Sequence, residues 1–197
     1  NFIPSSVDLD TANAYDIFRL ACCQYVGYRT DENENEAESN WLKASTMGDA
    51  NAMLELSVCL FTELKYEEGF KCLMKSSKAG NQVASFRLAL CYLNGIGCSE
   101  DYEKGAKLIQ VLAQNNEPNS MYFYSTMLQY GTKDIEPDED KANELLIKAS
   151  ELGSAFAKTD IGLRAFISAK TEKEKINAIK MVEEGADDGD IRAMCIM

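Results

Sequence analysis

The chain has 197 residues, of which 46% are hydrophobic and 26% charged, and its formal net charge at pH 7 is −12. This composition is typical of a soluble protein with a buried core, and the negative charge argues against binding to nucleic acid or to an anionic membrane surface. No apolar run approaches the ~20 residues that a membrane span needs, so membrane insertion is not expected.

Apolar residues recur at helical spacing along almost the whole chain after an irregular entry at residues 1–9. The pattern predicts helices over residues 10–28, 34–47, 50–63, 66–79, 81–94 and 100–115, then from Pro118, from just after Pro137, over 154–168 and 172–187, and from Asp190 onward. The three prolines each fall in a predicted loop or first helical turn, which favours an all-α fold.

The predicted helices form a repeating unit. A Lys-x-Ser-x-x-Gly pattern ends at Gly48, Gly80 and Gly153, and degenerate versions end at Asn116 and Gly189. Four residues after each of these positions lies a small residue: Ala52, Ala84, Ser120, Ala157 and Ala193. A period of 32–37 residues indicates stacked helical hairpins, in which each hairpin contributes a first helix (the A helix) and a second helix (the B helix).

The stretch 84–113 carries small-x-x-x-Leu, then Gly95-Ile-Gly97, then Asp101-x-x-Lys104, and it resembles a Sel-one-like repeat, a relative of the tetratricopeptide repeat. Residues 138–153 are similar to the second half of that pattern. The resemblance implies a right-handed α-solenoid of about five hairpins plus a terminal helix. Between residues 62 and 66 there is no space for the Gly-x-Gly turn, so this hairpin is expected to turn more tightly.

We therefore predict one repeat domain over residues 1–197, with no linker or composition break. Its repeats are expected at about 10–48, 49–80, 81–116, 117–153 and 154–189, with a partial repeat at 190–197. The segment 193–197 is apolar, although terminal repeats of solenoids usually need a polar outer face. We expect a further repeat, a partner or a second copy to cover this end.

Catalytic chemistry is sparse in this sequence. The chain has no histidine, which removes the commonest general base and metal ligand, and Cys22-Cys23 has no zinc-binding spacing. We expect no enzyme activity, no cofactor and no metal.

The seven cysteines follow no recurring pattern of pairs, and Cys59 and Cys91 fall on apolar helical faces. We expect seven free thiols and a reducing, cytoplasmic location, with a periplasmic or secreted location as the alternative if the thiols are paired.

A second apolar stripe on the A helices is the main functional signal. The resemblance implies that residues at fixed offsets from the repeat leucine line a concave surface, and here most of them are aromatic or aliphatic. Contiguous apolar residues on a soluble protein usually mark an interface, although tight packing between neighbouring A helices would also explain them. We refer to them as the A-helix stripe: Tyr15, Phe18, Tyr25, Leu54, Val58, Phe61, Phe86, Leu90, Leu93, Tyr122, Tyr130, Phe156, Leu163 and Phe166.

The sequence thus predicts a non-enzymatic adaptor or scaffold that binds a partner protein or peptide through the A-helix stripe. One alternative is an inhibitory partner, of the immunity type, whose acidic surface covers a basic enzyme. Another is a module that binds a small ligand or glycan on the same aromatic residues. Self-association through the open C-terminal repeat is a further expectation.

Overall fold

The computed structural model describes residues 8–196, so the predicted entry segment lies largely outside the described part, as do Met197 and the side chain of Ile196. The chain divides into two compact units, residues 1–105 and 106–197, and each is described by itself. That all the repeats form one domain stays a prediction.

The described residues of unit 1 form five helices and the start of a sixth. The bounds are α1 Ala14–Val26, α2 Glu34–Thr46, α3 Ala50–Thr62, α4 Tyr66–Lys78 and α5 Gln82–Asn94; α6, Tyr102–Gln114, begins here and ends in unit 2. The first helix is shorter than predicted because Asn13 caps its start and Gly27, at φ +66°, ends it.

Unit 2 continues the same alternation. Its helices are α7 Pro118–Tyr130, α8 Glu139–Glu151, α9 Ala155–Ser168, α10 Glu172–Asp187 and α11 Ile191–Ile196. The odd-numbered helices are the predicted A helices and the even-numbered ones the B helices. The predicted all-α, hairpin-based fold is confirmed, since residues 8–196 contain no strand beyond a single isolated bridge.

Every junction from a B helix to the next A helix has the same backbone geometry. Gly48, Gly80, Gly153 and Gly189 lie at φ +93° to +99°, and Asn116, in the third junction along the chain, lies at φ +60°. The residue after each of them donates its backbone N–H to a carbonyl five residues earlier, at 2.9–3.2 Å. This is a Schellman closure, which explains why the sequence repeats glycine or asparagine at this position.

The small residues four positions after each junction lie inside the helix packing. Ala52, Ala84, Ser120, Ala157 and Ala193 are all fully buried. Most of them also donate their backbone N–H to the side chain that caps the A helix, as Ala84 does to Asn81 at 2.9 Å. The repeat register predicted from the sequence is therefore confirmed.

In unit 1, α2 packs on α1 and α3, and α4 packs on α3 and α5. The first core cluster contains Ile17, Trp41 and Leu56 among small residues from all three helices. One buried polar pair joins α1 to α2, where the Asn40 amide donates to Gln24 at 2.8 Å. This hydrogen bond offsets part of the cost of burying the two amides.

In unit 2, α7 pairs with α8 and α9 pairs with α10, and α11 packs on α10. Two glycines let α9 and α10 approach each other closely. A Cβ on Gly162 would lie 2.9 Å from the Val182 side chain, and a Cβ on Gly185 would overlap the Thr159 hydroxyl. Gly162 thus occupies the position that the repeat pattern reserves for glycine.

The turns from an A helix to its B helix differ from one hairpin to the next. They span residues 27–33, 63–65, 95–101, 131–138 and 169–171. As predicted, the second hairpin turns tightly, and it does so through Leu64 at φ +62° rather than through a Gly-x-Gly loop.

Candidate functional site

The A-helix stripe is only partly exposed. Tyr15, Tyr25, Tyr130 and Phe166 are exposed, whereas Leu54, Phe86 and Tyr122 are at most 8% exposed. The remaining members are half-buried: Phe18, Val58, Phe61, Leu90, Leu93, Phe156 and Leu163. Part of the stripe therefore contributes to helix packing, and the rest is open to solvent.

Two stripe residues of unit 1 pack into their own hairpins. The Phe61 ring lies over Gly69 of α4, where an added Cβ would be 3.1 Å from the ring. Leu93 lies over Gly105 of α6 in the same way, at 2.7 Å. In both B helices the missing side chain makes room for the A-helix residue, so these two side chains face their hairpin partners.

Tyr25 lies at the C-terminal end of α1 and contacts α2. Its ring centroid is 5.3 Å from that of the buried Trp41. Both rings line a cavity of about 320 Å³ together with Glu34, Glu38 and Glu63. The structure therefore places Tyr25 in an acidic cavity between the first two hairpins.

Tyr15 and Phe18 lie in the first half of α1. The Arg19 guanidinium lies over the Tyr15 ring, 5.7 Å from its centroid, while Phe18 packs against the first core cluster. The Tyr15 side chain stays 57% exposed, so its ring is open to a partner while the neighbouring Arg19 supplies a positive charge.

In unit 2 the stripe residues form an aromatic cluster. The rings of Tyr122 and Phe156 stack at 5.9 Å with an interplanar angle of 20°. Phe123, adjacent to the stripe, meets both rings edge-on at 5.5 and 5.7 Å. Edge-to-face and offset pairs at these distances are favourable aromatic arrangements, so α7 and α9 are joined through this cluster.

Arg192 of α11 completes the cluster and was not predicted from the sequence. Its guanidinium lies 5.3 Å from the Tyr122 centroid and 5.1 Å from that of Phe156, and it donates to the Tyr122 hydroxyl at 2.9 Å. The equivalent positions of the other repeats hold Asn51, Val83, Asn119 and Phe156. The only signal in the sequence is therefore that Arg192 is the one charged residue at this repeat position.

Asp190 holds Arg192 in place. Its carboxylate is fully buried and accepts hydrogen bonds from the Arg192 backbone and side chain at 2.9–3.1 Å. Burial acts to raise the pKa of Asp190, but hydrogen bonds from Arg192 and Thr159 outweigh it, and the pKa is lowered. The charged form of this aspartate is therefore part of the folded state.

Five thiols, those of Cys22, Cys59, Cys72, Cys91 and Cys98, have a raised pKa, which is the opposite of nucleophile activation. Burial raises the pKa of Cys91 to about 11, and burial followed by the charges of Glu38 and Glu55 raises the pKa of Cys59. Such thiols stay protonated at neutral pH. Within residues 8–196, no group of three acidic or cysteine side chains is arranged to hold a metal ion, and no helix is both long and apolar enough to cross a membrane.

These features define an all-α repeat protein of the α-solenoid class, built of helical hairpins that pack through small residues at a fixed register. The profile of the Sel1 repeat matches residues 14–49, 82–116 and 118–154, more than half of the chain. The chain belongs to the Sel1 repeat family, which confirms the resemblance drawn from the sequence. Proteins of this family are generally protein-interaction scaffolds and are typically non-catalytic.

Solved structures share the fold at low sequence identity. A Sel1 repeat protein from Oxalobacter formigenes is similar with a TM-score of 0.71 and 17% identity, over 92% of this chain and 76% of that one. A protective antigen of uropathogenic Escherichia coli with an SLR fold matches at 0.71 and 20%, over 93% of this chain and 40% of that one. No curated protein matches the sequence.

A Sel1 repeat protein from Klebsiella pneumoniae is similar with a TM-score of 0.58 and 17% identity, over 96% of this chain and 94% of that one. At these identities the likeness concerns the fold alone.

Proposed function

We propose that this protein is a non-enzymatic adaptor or scaffold that binds a partner protein or peptide through the exposed part of the A-helix stripe. The observation that carries the proposal is the exposure of large aromatic residues on A helices in both units. Tyr15 and Tyr130 are 57% and 74% exposed, and Phe166 is 42% exposed. Aromatic residues of this kind are the commonest anchors of protein interfaces.

The packed residues of the stripe support the exposed ones. In unit 1, Phe18 packs on the core cluster directly beside Tyr15, and in unit 2 Leu163 packs on a cluster that contains Val182. An exposed aromatic ring on a rigid helix loses little conformational entropy when a partner binds it. Phe18 and Leu163 thus anchor to the core the two helices that carry Tyr15 and Phe166.

Family membership supports the same reading, because Sel1 repeat proteins are generally protein-interaction scaffolds. The raised thiol pKa values and the absence of histidine from the sequence favour binding over catalysis. Burial of Leu54, Phe86 and Tyr122 restricts the contacting residues to the exposed and half-exposed members.

The test is affinity capture from a lysate of the source organism, followed by measurement of the dissociation constant for each captured protein. If each residue is an anchor worth about 2 kcal/mol, Tyr15→Ala and Phe166→Ala should each raise the dissociation constant of a genuine partner about 30-fold. Tyr102→Ala is the matched control, since Tyr102 is 43% exposed but lies at the start of a B helix.

A partner that binds both stripe variants as tightly as the wild type would contradict the proposal. So would a thermal-shift screen in which a metabolite or glycan stabilises the wild type but not Tyr15→Ala. The second result would establish the ligand-binding alternative on the same residues.

A further inference from the structure

Unit 1 contains an acidic cavity that the A-helix stripe does not explain. It has a volume of about 320 Å³ and lies against the first turns of α2. We call it the acidic socket, and its main lining residues are Tyr25, Glu34, Glu38, Trp41, Cys59 and Glu63. A larger cavity of about 560 Å³ lies beside it, shares Asn35 and Glu38 with it, and has Leu56 and Leu60 of α3 in its wall.

The third hairpin shows what fills the equivalent position one repeat further along the chain. The 95–101 turn packs against the start of α4, where a Cβ on Gly97 would overlap the Tyr66 carbonyl oxygen and lie 2.8 Å from the Phe70 Cβ. Gly97 lies at φ +70°, and only a glycine could approach the helix so closely in this conformation. The turn of the third hairpin therefore covers the first turns of α4, the preceding B helix.

The equivalent cover is missing from α2. Tyr66 and Phe70 are the first and fifth residues of α4, and the corresponding residues of α2 are Glu34 and Glu38. The turn that should lie on them belongs to the second hairpin, which has only the three residues 63–65 where the third has seven. The acidic socket is thus the space that a full-length turn would occupy.

The socket has an excess of negative charge and an apolar wall. Glu34, Glu38 and Glu63 line it, and no lysine or arginine does. Glu63 pairs with Lys65 at 2.6 Å, but both side chains are largely exposed, so water screens this pair. Tyr25 and Trp41, with ring centroids 5.3 Å apart, form the apolar wall.

We propose that the acidic socket binds a short segment of a partner protein in which an apolar residue is flanked by lysine or arginine, and that this segment replaces the missing turn. The proposal goes beyond the exposed stripe residues Tyr15, Tyr130 and Phe166, and the socket shares only Tyr25 with the A-helix stripe. Charge complementarity selects a basic segment, because an acidic one would leave three carboxylates facing like charge. The aromatic wall selects an apolar side chain between the basic ones.

The volume of the cavities and the net charge of the protein favour a short basic segment of a partner over other occupants. The socket and the adjoining cavity, about 320 and 560 Å³, lie within the range of about 300–1,000 Å³ typical of binding sites, and Asn35 and Glu38 line both, so a segment that enters the socket reaches the adjoining cavity. The charged residues of that cavity are Glu38, Glu68 and Lys71, so it also carries a negative excess. A second copy of this chain is disfavoured, since a protein with net charge −12 would meet an acidic surface of its own kind.

The probe is an array of immobilised hexapeptides in which two lysines flank varied positions, with a matched array in which both lysines are glutamates. The strongest lysine peptide is then labelled, and its dissociation constant is measured by fluorescence anisotropy. We expect binding to lysine peptides that contain an apolar residue, no binding to their glutamate counterparts, and weaker binding as salt is raised from about 50 to about 500 mM.

Two variants locate the binding site. The double variant Glu34→Gln/Glu38→Gln should raise the dissociation constant of the labelled peptide at least fivefold. Glu183→Gln/Glu184→Gln, which removes the same charge from exposed residues of α10, should change binding less than twofold. Replacing residues 63–65 by the seven residues 95–101 should abolish binding, because the new turn fills the socket. Circular dichroism establishes that each variant is folded.

Three results would overturn the proposal: no lysine peptide binds at about 1 mM, the two double variants weaken binding equally, or a folded turn replacement binds as the wild type does. Sedimentation velocity supplies a fourth. A wild-type dimer that the turn replacement dissociates would show that a second copy occupies the socket.

Discussion

The two ends of each repeat are under different constraints. At the end where a B helix leads into the next A helix, all five junctions share a left-handed residue, a backbone closure of 2.9–3.2 Å and a fully buried small residue four positions on. At the other end, the turns have three, seven or eight residues. The junctions set how helices stack, so they cannot vary, whereas the turns can lengthen or shorten and thereby cover or expose a neighbouring helix.

The largest effect is expected where a turn is packed against a neighbour. Gly97→Ala should cost about 3 kcal/mol in the free energy of unfolding, because a left-handed alanine is strained and its Cβ overlaps the Tyr66 carbonyl. Urea denaturation measures the change. Gly48→Ala is the control at a junction: it lies at φ +94° with nothing within 4 Å of the added Cβ, so strain alone should cost about 1–2 kcal/mol. Equal losses would show that the turn does not pack on α4.

The second effect concerns the buried small residues of the junctions. Ala84→Leu should cost about 2 kcal/mol, because the site is fully buried and has no room for three more carbon atoms. The adjacent Val83 is 48% exposed, so Val83→Leu should change stability by less than about 0.5 kcal/mol. An unchanged urea midpoint for Ala84→Leu would contradict the repeat register.

At the last junction the carboxylate of Asp190 binds the side chain of Arg192 as well as its backbone. Asp190→Asn should cost about 1.5 kcal/mol by weakening the charge-assisted hydrogen bonds from Arg192. The pKa of Asp190 is lowered in the folded state, so its contribution is present above the ordinary aspartate pKa of about 3.9 and is lost as pH falls through the folded value.

The check for Asp190 is thermal unfolding between about pH 2 and pH 7. The wild type should lose more stability than Asp190→Asn as the solution is acidified. Parallel pH profiles for the two proteins would show that the carboxylate is not held in its charged form by Arg192.

The smallest effect is a gain. Leu64 lies at φ +62° in the three-residue turn and is 69% exposed, so Leu64→Gly relieves left-handed strain and sacrifices little burial. The strain of about 1–2 kcal/mol is partly offset by the greater freedom of glycine in the unfolded chain, which leaves a gain of about 0.5 kcal/mol. A loss of stability would mean that the Leu64 side chain contributes contacts that its exposure does not indicate.

The sequence predicted the junctions well but could not indicate which stripe residues are exposed, for one physical reason. A left-handed glycine such as Gly48, followed four residues later by a fully buried Ala52, is a local requirement and recurs visibly. Exposure of a stripe residue depends on what packs against it. Phe61 and Leu93 lie over Gly69 and Gly105 of their own B helices, and that pairing is visible only in three dimensions.

The same limit explains why Arg192 and the acidic socket were not foreseen. Arg192 lies over Tyr122, 70 residues earlier in the chain, and no local pattern connects them. The short turn at 63–65 was recognised in the sequence, but its consequence was not. That consequence depends on the third hairpin, which shows where a full-length turn packs.

Trp41 has a consequence for how the unfolding of this protein can be observed. It is the single tryptophan of the chain, is 3% exposed, and belongs to the first hairpin, where it packs against Tyr25. Its emission therefore reports on the first hairpin, whereas far-ultraviolet ellipticity averages over all the helices. In a repeat protein each hairpin is stabilised mainly by its neighbours. The fluorescence and ellipticity transitions coincide if all the hairpins unfold together, and they occur at different temperatures if groups of hairpins unfold separately. A comparison of Trp41 fluorescence with ellipticity therefore measures how cooperatively the hairpins unfold, without any added label.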